Sequence, residues 1–185
     1  MTLLQEINIR DNKRLVLGLN LASLLLWFPF LYLFAKLIPI VTGSSGIRLN
    51  IRAWEPFALI ALIMTIFILH EGIHGIFFKL FKPKSKVKFG VIWRFFILYT
   101  TCSGSFYSKG KMLVIGTSPF IINSLLLTVV LALGWLSDPI YLFIVSLHAA
   151  ACSGDFYYVY IMTWKYRNNK ILVENNEEGI KIFQG

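Results

Sequence analysis

Three stretches of the chain, 15–35, 53–78 and 112–164, contain no lysine or arginine, and nothing else in the sequence restricts the fold as strongly. A cation at the centre of a bilayer costs roughly 2.5 to 3.5 kcal/mol on insertion scales, so cation-free runs of about 20 residues are where a chain can cross. The third run is long enough for two crossings, separated at Ser137-Asp138-Pro139. Four transmembrane helices are therefore predicted, at 15–35, 54–78, 112–135 and 140–164, with Pro29 and Pro119 as kinks. A composition that is 57% hydrophobic and 15% charged agrees with this reading and excludes a cytosolic enzyme. A signal peptide is the competing reading of the first span; it is set aside because the segment is too long and lacks a small-residue cleavage site. Cys102 and Cys152 give no disulfide framework and read as small apolar residues.

The formal net charge is +9, and its meaning depends on where the cations lie. Arg10, Lys13 and Arg14 precede the first span, eight more basic residues lie between Lys79 and Lys111, and Lys165, Arg167, Lys170 and Lys181 follow the last. All of these fall on one side, leaving only Lys36, Arg48 and Arg52 on the other. The positive-inside tendency then makes both termini and the 79–111 loop cytoplasmic in a multi-pass protein of the cell membrane. Such charge faces anionic lipid headgroups of the bilayer, and no nucleic-acid partner is expected.

Within the loop, residues 87–107 are rich in Val, Ile, Trp, Phe, Tyr and Thr and bounded by Pro83 and Gly104, which predicts a short β-hairpin. A fifth span there would have to carry Arg94 in or near the bilayer. The tail from Asn168, with Glu174, Glu177 and Glu178, reads as a solvated extension. The expected fold is an all-α membrane protein: a four-transmembrane-helix bundle with one short cytoplasmic-side β-hairpin between helices 2 and 3, forming a single integral membrane domain over 1–185.

Ionisable groups inside spans are expensive and usually mark a site. All three histidines of the chain, His70, His74 and His148, lie in predicted spans, as do Glu71 and Asp155. His70, Glu71 and His74 make the string His-Glu-x-x-His. Imidazoles four residues apart on a helix share one face and can converge on one metal ion, while the glutamate between them can accept a proton from water held there. A catalytic zinc ordinarily takes three protein ligands, and Asp155 is the candidate for the third. At 1.5 Å per residue, His70 and His74 lie about 14 and 8 Å from the level of Lys79, and Asp155 about 15 Å from that of Lys165, so the depths agree within about a turn. His148 is seven residues before Asp155, about 10 Å further from the cytoplasm. It reads as a hydrogen-bonding group to another span, or as a contact to substrate.

His70-Glu71-x-x-His74 in one span, Ser118-Pro119 early in the next and Ser153-Gly154-Asp155 in the last together resemble the zincin peptidases, small bacterial membrane proteins allied to the site-two-protease class of intramembrane metalloproteases. The similarity runs from about Leu59 to the tail. It implies a Zn2+-dependent endopeptidase acting on a membrane protein or peptide substrate, with His70, His74 and Asp155 as zinc ligands and Glu71 as general base. It also implies that the 87–107 segment is a membrane-associated strand region that aligns substrate.

Two other readings use the same residues. A membrane haem protein would take axial ligands from His70 or His74 and from His148, which leaves Glu71 and Asp155 without a role. A non-catalytic metal-binding or transport scaffold would hold an ion on the same donors without hydrolysis.

Overall fold

A computed structural model of the protein describes residues 1–9, 11–92 and 97–185. Its elements run β1 (Leu3–Asn8), α1 (Lys13–Thr42), α2 (Glu55–Phe81), β2 (Lys88–Ile92), β3 (Ile97–Thr101), β4 (Phe106–Ser108), α3 (Lys109–Ala132), α4 (Asp138–Ala151), α5 (Ser153–Tyr160), a π-helical turn (Ile161–Lys165), β5 (Ile171–Asn176) and β6 (Gly179–Gln184). Helices α1, α2 and α3 are long and apolar enough to cross a membrane; the pair formed by α4 and the Ser153–Lys165 segment, bent by 40°, passes the same test if it counts as one span. Leu25, Phe57, Ile60 and Leu125 stand exposed on the three long helices, an apolar surface that a membrane crossing would cover.

The all-α four-helix bundle expected from the sequence is not what the chain forms. Among the described residues there are five α-helices and two antiparallel sheets. The larger sheet has the order β1-β6-β5-β4, and it recruits the amino-terminal residues and the tail that was read as a solvated extension. The reason lies in alternation: Ile171 and Val173 of β5, and Ile180 and Ile182 of β6, are buried at every second position, the period of a half-buried strand. Asn176-Glu177-Glu178-Gly179 turns the chain between them, with the Asn176 side chain accepting from the backbone N–H of Glu178 and Gly179. The acidic residues that suggested solvation stand on the outer positions, and Lys181 of β6 pairs with Glu6 of β1 at 3.2 Å. The fourth expected span, 140–164, is divided at Cys152 into two helices and the π turn.

The smaller sheet is the β2–β3 hairpin, paired from Lys88↔Thr101 to Ile92↔Ile97. Gly90 lies opposite Tyr99, whose ring covers the space a side chain would need: a Cβ on Gly90 would meet the ring at 2.4 Å. Arg94, on which the fifth-span alternative depended, lies outside the described residues.

By contacts the chain divides into two compact units. One comprises residues 1–19, 70–119 and 154–185 and has a core of Phe78, Tyr107, Met112, Ile115, Met162, Val173 and Ile182 with their neighbours. Tyr107 donates to the Phe78 carbonyl near the end of α2 and contacts Cys102 Sγ, each at 3.2 Å. Burial first, and then the Cys102 contact, push its hydroxyl up to about 12, so it keeps the proton that this bond to α2 requires. The other unit, 20–69 with 120–153, packs Phe34, Ile38, Leu131, Tyr141 and Ile144. Its two connecting loops are stitched by buried carboxylates. Asp138 accepts from the Arg48 backbone N–H at 2.8 Å and from its guanidinium at 2.8 and 3.2 Å, while Glu55 accepts the backbone N–H of Arg52 at 2.8 Å and of Ser137 at 2.7 Å. Neither cysteine forms a disulfide.

Gly179 starts β6 at φ +146°, and a Cβ there would sit 2.0 Å from the Ile7 carbonyl oxygen. Both the backbone conformation and the space exclude a side chain. Gly179→Ala is expected to cost about 3 kcal/mol of stability, read as a lowered denaturation midpoint in detergent, whereas alanine at Gly110, which meets nothing within 4 Å, leaves the midpoint nearly unchanged.

Candidate metal centre

The site is assembled within the first unit from α2, α3, α5 and the hairpin. Helix α2 carries His70 and His74 one turn apart, both buried, with ring centroids 4.8 Å apart and planes at 83°. Asp155 stands in the first turn of α5, where the helix dipole favours a negative charge. The break at Cys152 that starts α5 is what places the carboxylate in that turn. Its Oδ2 lies 3.2 Å from His70 Nε2 and its Oδ1 lies 3.3 Å from His74 Nε2. Ligand atoms on a tetrahedral ion at bond lengths of about 2.0–2.1 Å are separated by about 3.3–3.4 Å, so these spacings match adjacent corners of such a shell. The residues that the sequence singled out as metal ligands are thus brought together.

Hydrogen-bond chemistry gives an independent test of fit. His74 Nδ1 lies 3.0 Å from the Ile115 carbonyl oxygen of α3. A carbonyl only accepts, so Nδ1 carries the ring proton. In the neutral ring, Nε2 is then a lone pair, and it points at a carboxylate oxygen that is also an acceptor. Two acceptors 3.3 Å apart repel unless a cation stands between them, either a second proton on the ring or a metal ion. A divalent cation satisfies His70, His74 and Asp155 together, and the residues fit it.

Glu71 approaches His70 Nε2 only to 4.0 Å, beyond hydrogen-bonding reach, so that imidazole does not consume its carboxylate. The backbone beside it is fixed by the hairpin: Thr100 Oγ1 of β3 donates to the Glu71 carbonyl at 3.0 Å. Gly75, next to His74, lets β2 lie close against α2, since a Cβ there would meet the Phe89 ring at 2.7 Å. The hairpin therefore packs directly against the His-Glu-x-x-His turn.

His148 forms its hydrogen bond within the second unit. It is fully buried in the second unit, where Asn123 Nδ2 of α3 donates to its Nε2 at 3.0 Å and lies 3.4 Å from the Ile66 carbonyl. Sequence reasoning missed Asn123, Thr100 and the Ile115 carbonyl. Of these only the carbonyl left a trace, the proline four residues after it.

Two imidazoles one helical turn apart, a glutamate between them and a third carboxylate from another helix form a group that could hold a metal ion, the pattern of donors that zincins use. The family model described as "Putative zincin peptidase" matches residues 62–170, more than half of the chain, and the chain belongs to that family. The match spans α3 and every residue of the donor set. No curated protein and no solved structure matches the chain.

Proposed function

We propose that the protein is a zinc-dependent intramembrane endopeptidase that hydrolyses peptide bonds of membrane-associated protein or peptide substrates. The observation that carries this reading is the convergence of His70 and His74 Nε2 on the two oxygens of Asp155, with Glu71 adjacent and uncommitted to His70. His70, His74 and Asp155 hold the ion, and Glu71 is the general base. Zinc, when bound, supplies a Lewis acid that polarises the scissile carbonyl and makes water more acidic. Glu71 accepts the proton of the attacking water and delivers it to the leaving amine. Asp155 balances the positive charge that would otherwise be costly in an apolar span.

The membrane setting rests on the helices described above and on the sorting of the basic residues, with both termini and the hairpin on the cytoplasmic side. A substrate helix hides its carbonyls in its own hydrogen bonds and must be extended before one can be attacked. The β2–β3 pair, held against α2 by Gly75 and Thr100, offers a strand edge to which an unwound substrate segment can add. Membrane haem binding is the weaker reading, because His148 Nε2 is engaged by Asn123.

Metal analysis of the purified protein tests the proposal. One zinc per chain is expected, removable by a chelator with loss of cleavage of dye-labelled casein and restored by added zinc, and no Soret absorption. Casein suits the assay because it is already extended. A preparation that is metal-free after zinc addition, or that shows a Soret band, overturns the reading.

A further inference from the structure

The hydrogen bond that fixes His74 raises a question about its acceptor. Carbonyls inside an α-helix normally receive the N–H four residues on, and a carbonyl so occupied is a poorer partner for a side chain. The residue four after Ile115 is Pro119, inside α3, and proline has no N–H. The Ile115 carbonyl is therefore left without its helical donor, and it is the one that faces His74 Nδ1 at 3.0 Å. Ile115 and His74 are both buried, so water cannot substitute on either side. The preceding carbonyl, Val114, accepts from the Ser118 hydroxyl.

We infer that Pro119 is a positioning residue: by withholding an amide from the Ile115 carbonyl, it reserves that oxygen for His74 Nδ1 and so sets the tautomer and ring orientation in which Nε2 can bind the ion. The inference rests on the metallopeptidase reading, and it assigns to a helix-interior proline a role in metal affinity, not in bending. Partners of a ligand's second nitrogen change metal affinity by about 10- to 100-fold. Restoring an amide at 119 makes it compete with His74 for one oxygen.

The test compares Pro119→Ala with Pro39→Ala in α1, a second helix-interior proline that lies outside the donor set. Zinc affinity is measured by competition with a chromophoric chelator, the visible bands of the cobalt-substituted protein are recorded, and the melting temperature of the zinc-free form is followed in detergent. Pro119→Ala should weaken zinc binding about 10-fold or more and shift the cobalt bands, while the zinc-free protein melts no lower than wild type, since alanine is the better helix former. Pro39→Ala should leave both metal readouts unchanged. Should the alanine variant not accumulate, Pro119→Gly restores the same amide and is read in the same way. Equal zinc affinity and cobalt spectra in the position-119 variant and wild type overturn the inference and leave the metallopeptidase reading standing. A wild-type protein that binds no zinc overturns both.

Discussion

Replacing Glu71 by glutamine lowers the rate of casein cleavage by about 10³-fold, within the range ascribed to a positioned general base, while zinc content stays at the wild-type level. This is the outcome that separates a hydrolase from a metal scaffold. The substitution keeps the size and shape of the side chain and removes only its ability to take a proton. Because Glu71 lies 4.0 Å from His70 Nε2 and makes no hydrogen bond to it, the change leaves the metal ligands where they are. A thousandfold loss corresponds to about 4 kcal/mol of transition-state free energy, which the glutamine has no chemical means to supply. If cleavage persists at the wild-type rate with the metal in place, Glu71 is not the base. If zinc is lost together with activity, the carboxylate is serving as a ligand instead.

The features legible in the sequence were those that an apolar span makes conspicuous. In a helix of Ile, Leu and Phe, an imidazole pair at the spacing of His70 and His74 stands out because each polar group there needs a partner. Asp155 could be matched to them by depth alone, since rise per residue is nearly constant along a helix. The features that stayed hidden carry no such contrast. The Ile115 carbonyl is a backbone group and has no letter of its own; only Pro119 betrays it. Ala149-Ala150-Ala151-Cys152 contains no helix breaker, so the division between α4 and α5 was read as one continuous span. In β5 and β6 the buried Ile171, Val173, Ile180 and Ile182 alternate with Leu172, Glu174, Lys181 and Phe183, a mixture of apolar and charged residues that conceals a period of two. A run of two or three such strands has little local signal, and its stability comes from pairing with β1 and β4, which lie far away in sequence.

Removing the Asp155 carboxylate should abolish zinc-dependent stabilisation altogether. Zinc that binds only the folded state adds about 4 kcal/mol when its concentration is 1,000 times Kd, so the wild-type protein should gain that much in a melting experiment with buffered zinc. In Asp155→Ala the two imidazoles remain on α2, but no third donor and no compensating charge meets them. Two neutral ligands leave the full +2 charge of the ion uncompensated in an apolar surrounding, where desolvation is most costly. Binding is expected to weaken by more than about 10³-fold, the equivalent of the full 4 kcal/mol, and the zinc increment in melting temperature should disappear. Asp155→Asn provides the finer comparison. It retains an oxygen at the same place and loses the charge, so its zinc increment should fall between those of the wild-type and alanine proteins. An asparagine variant that matches wild type would mean that donor geometry alone holds the ion. An alanine variant with an undiminished increment would place the metal elsewhere, because no other carboxylate among the described residues bridges His70 and His74.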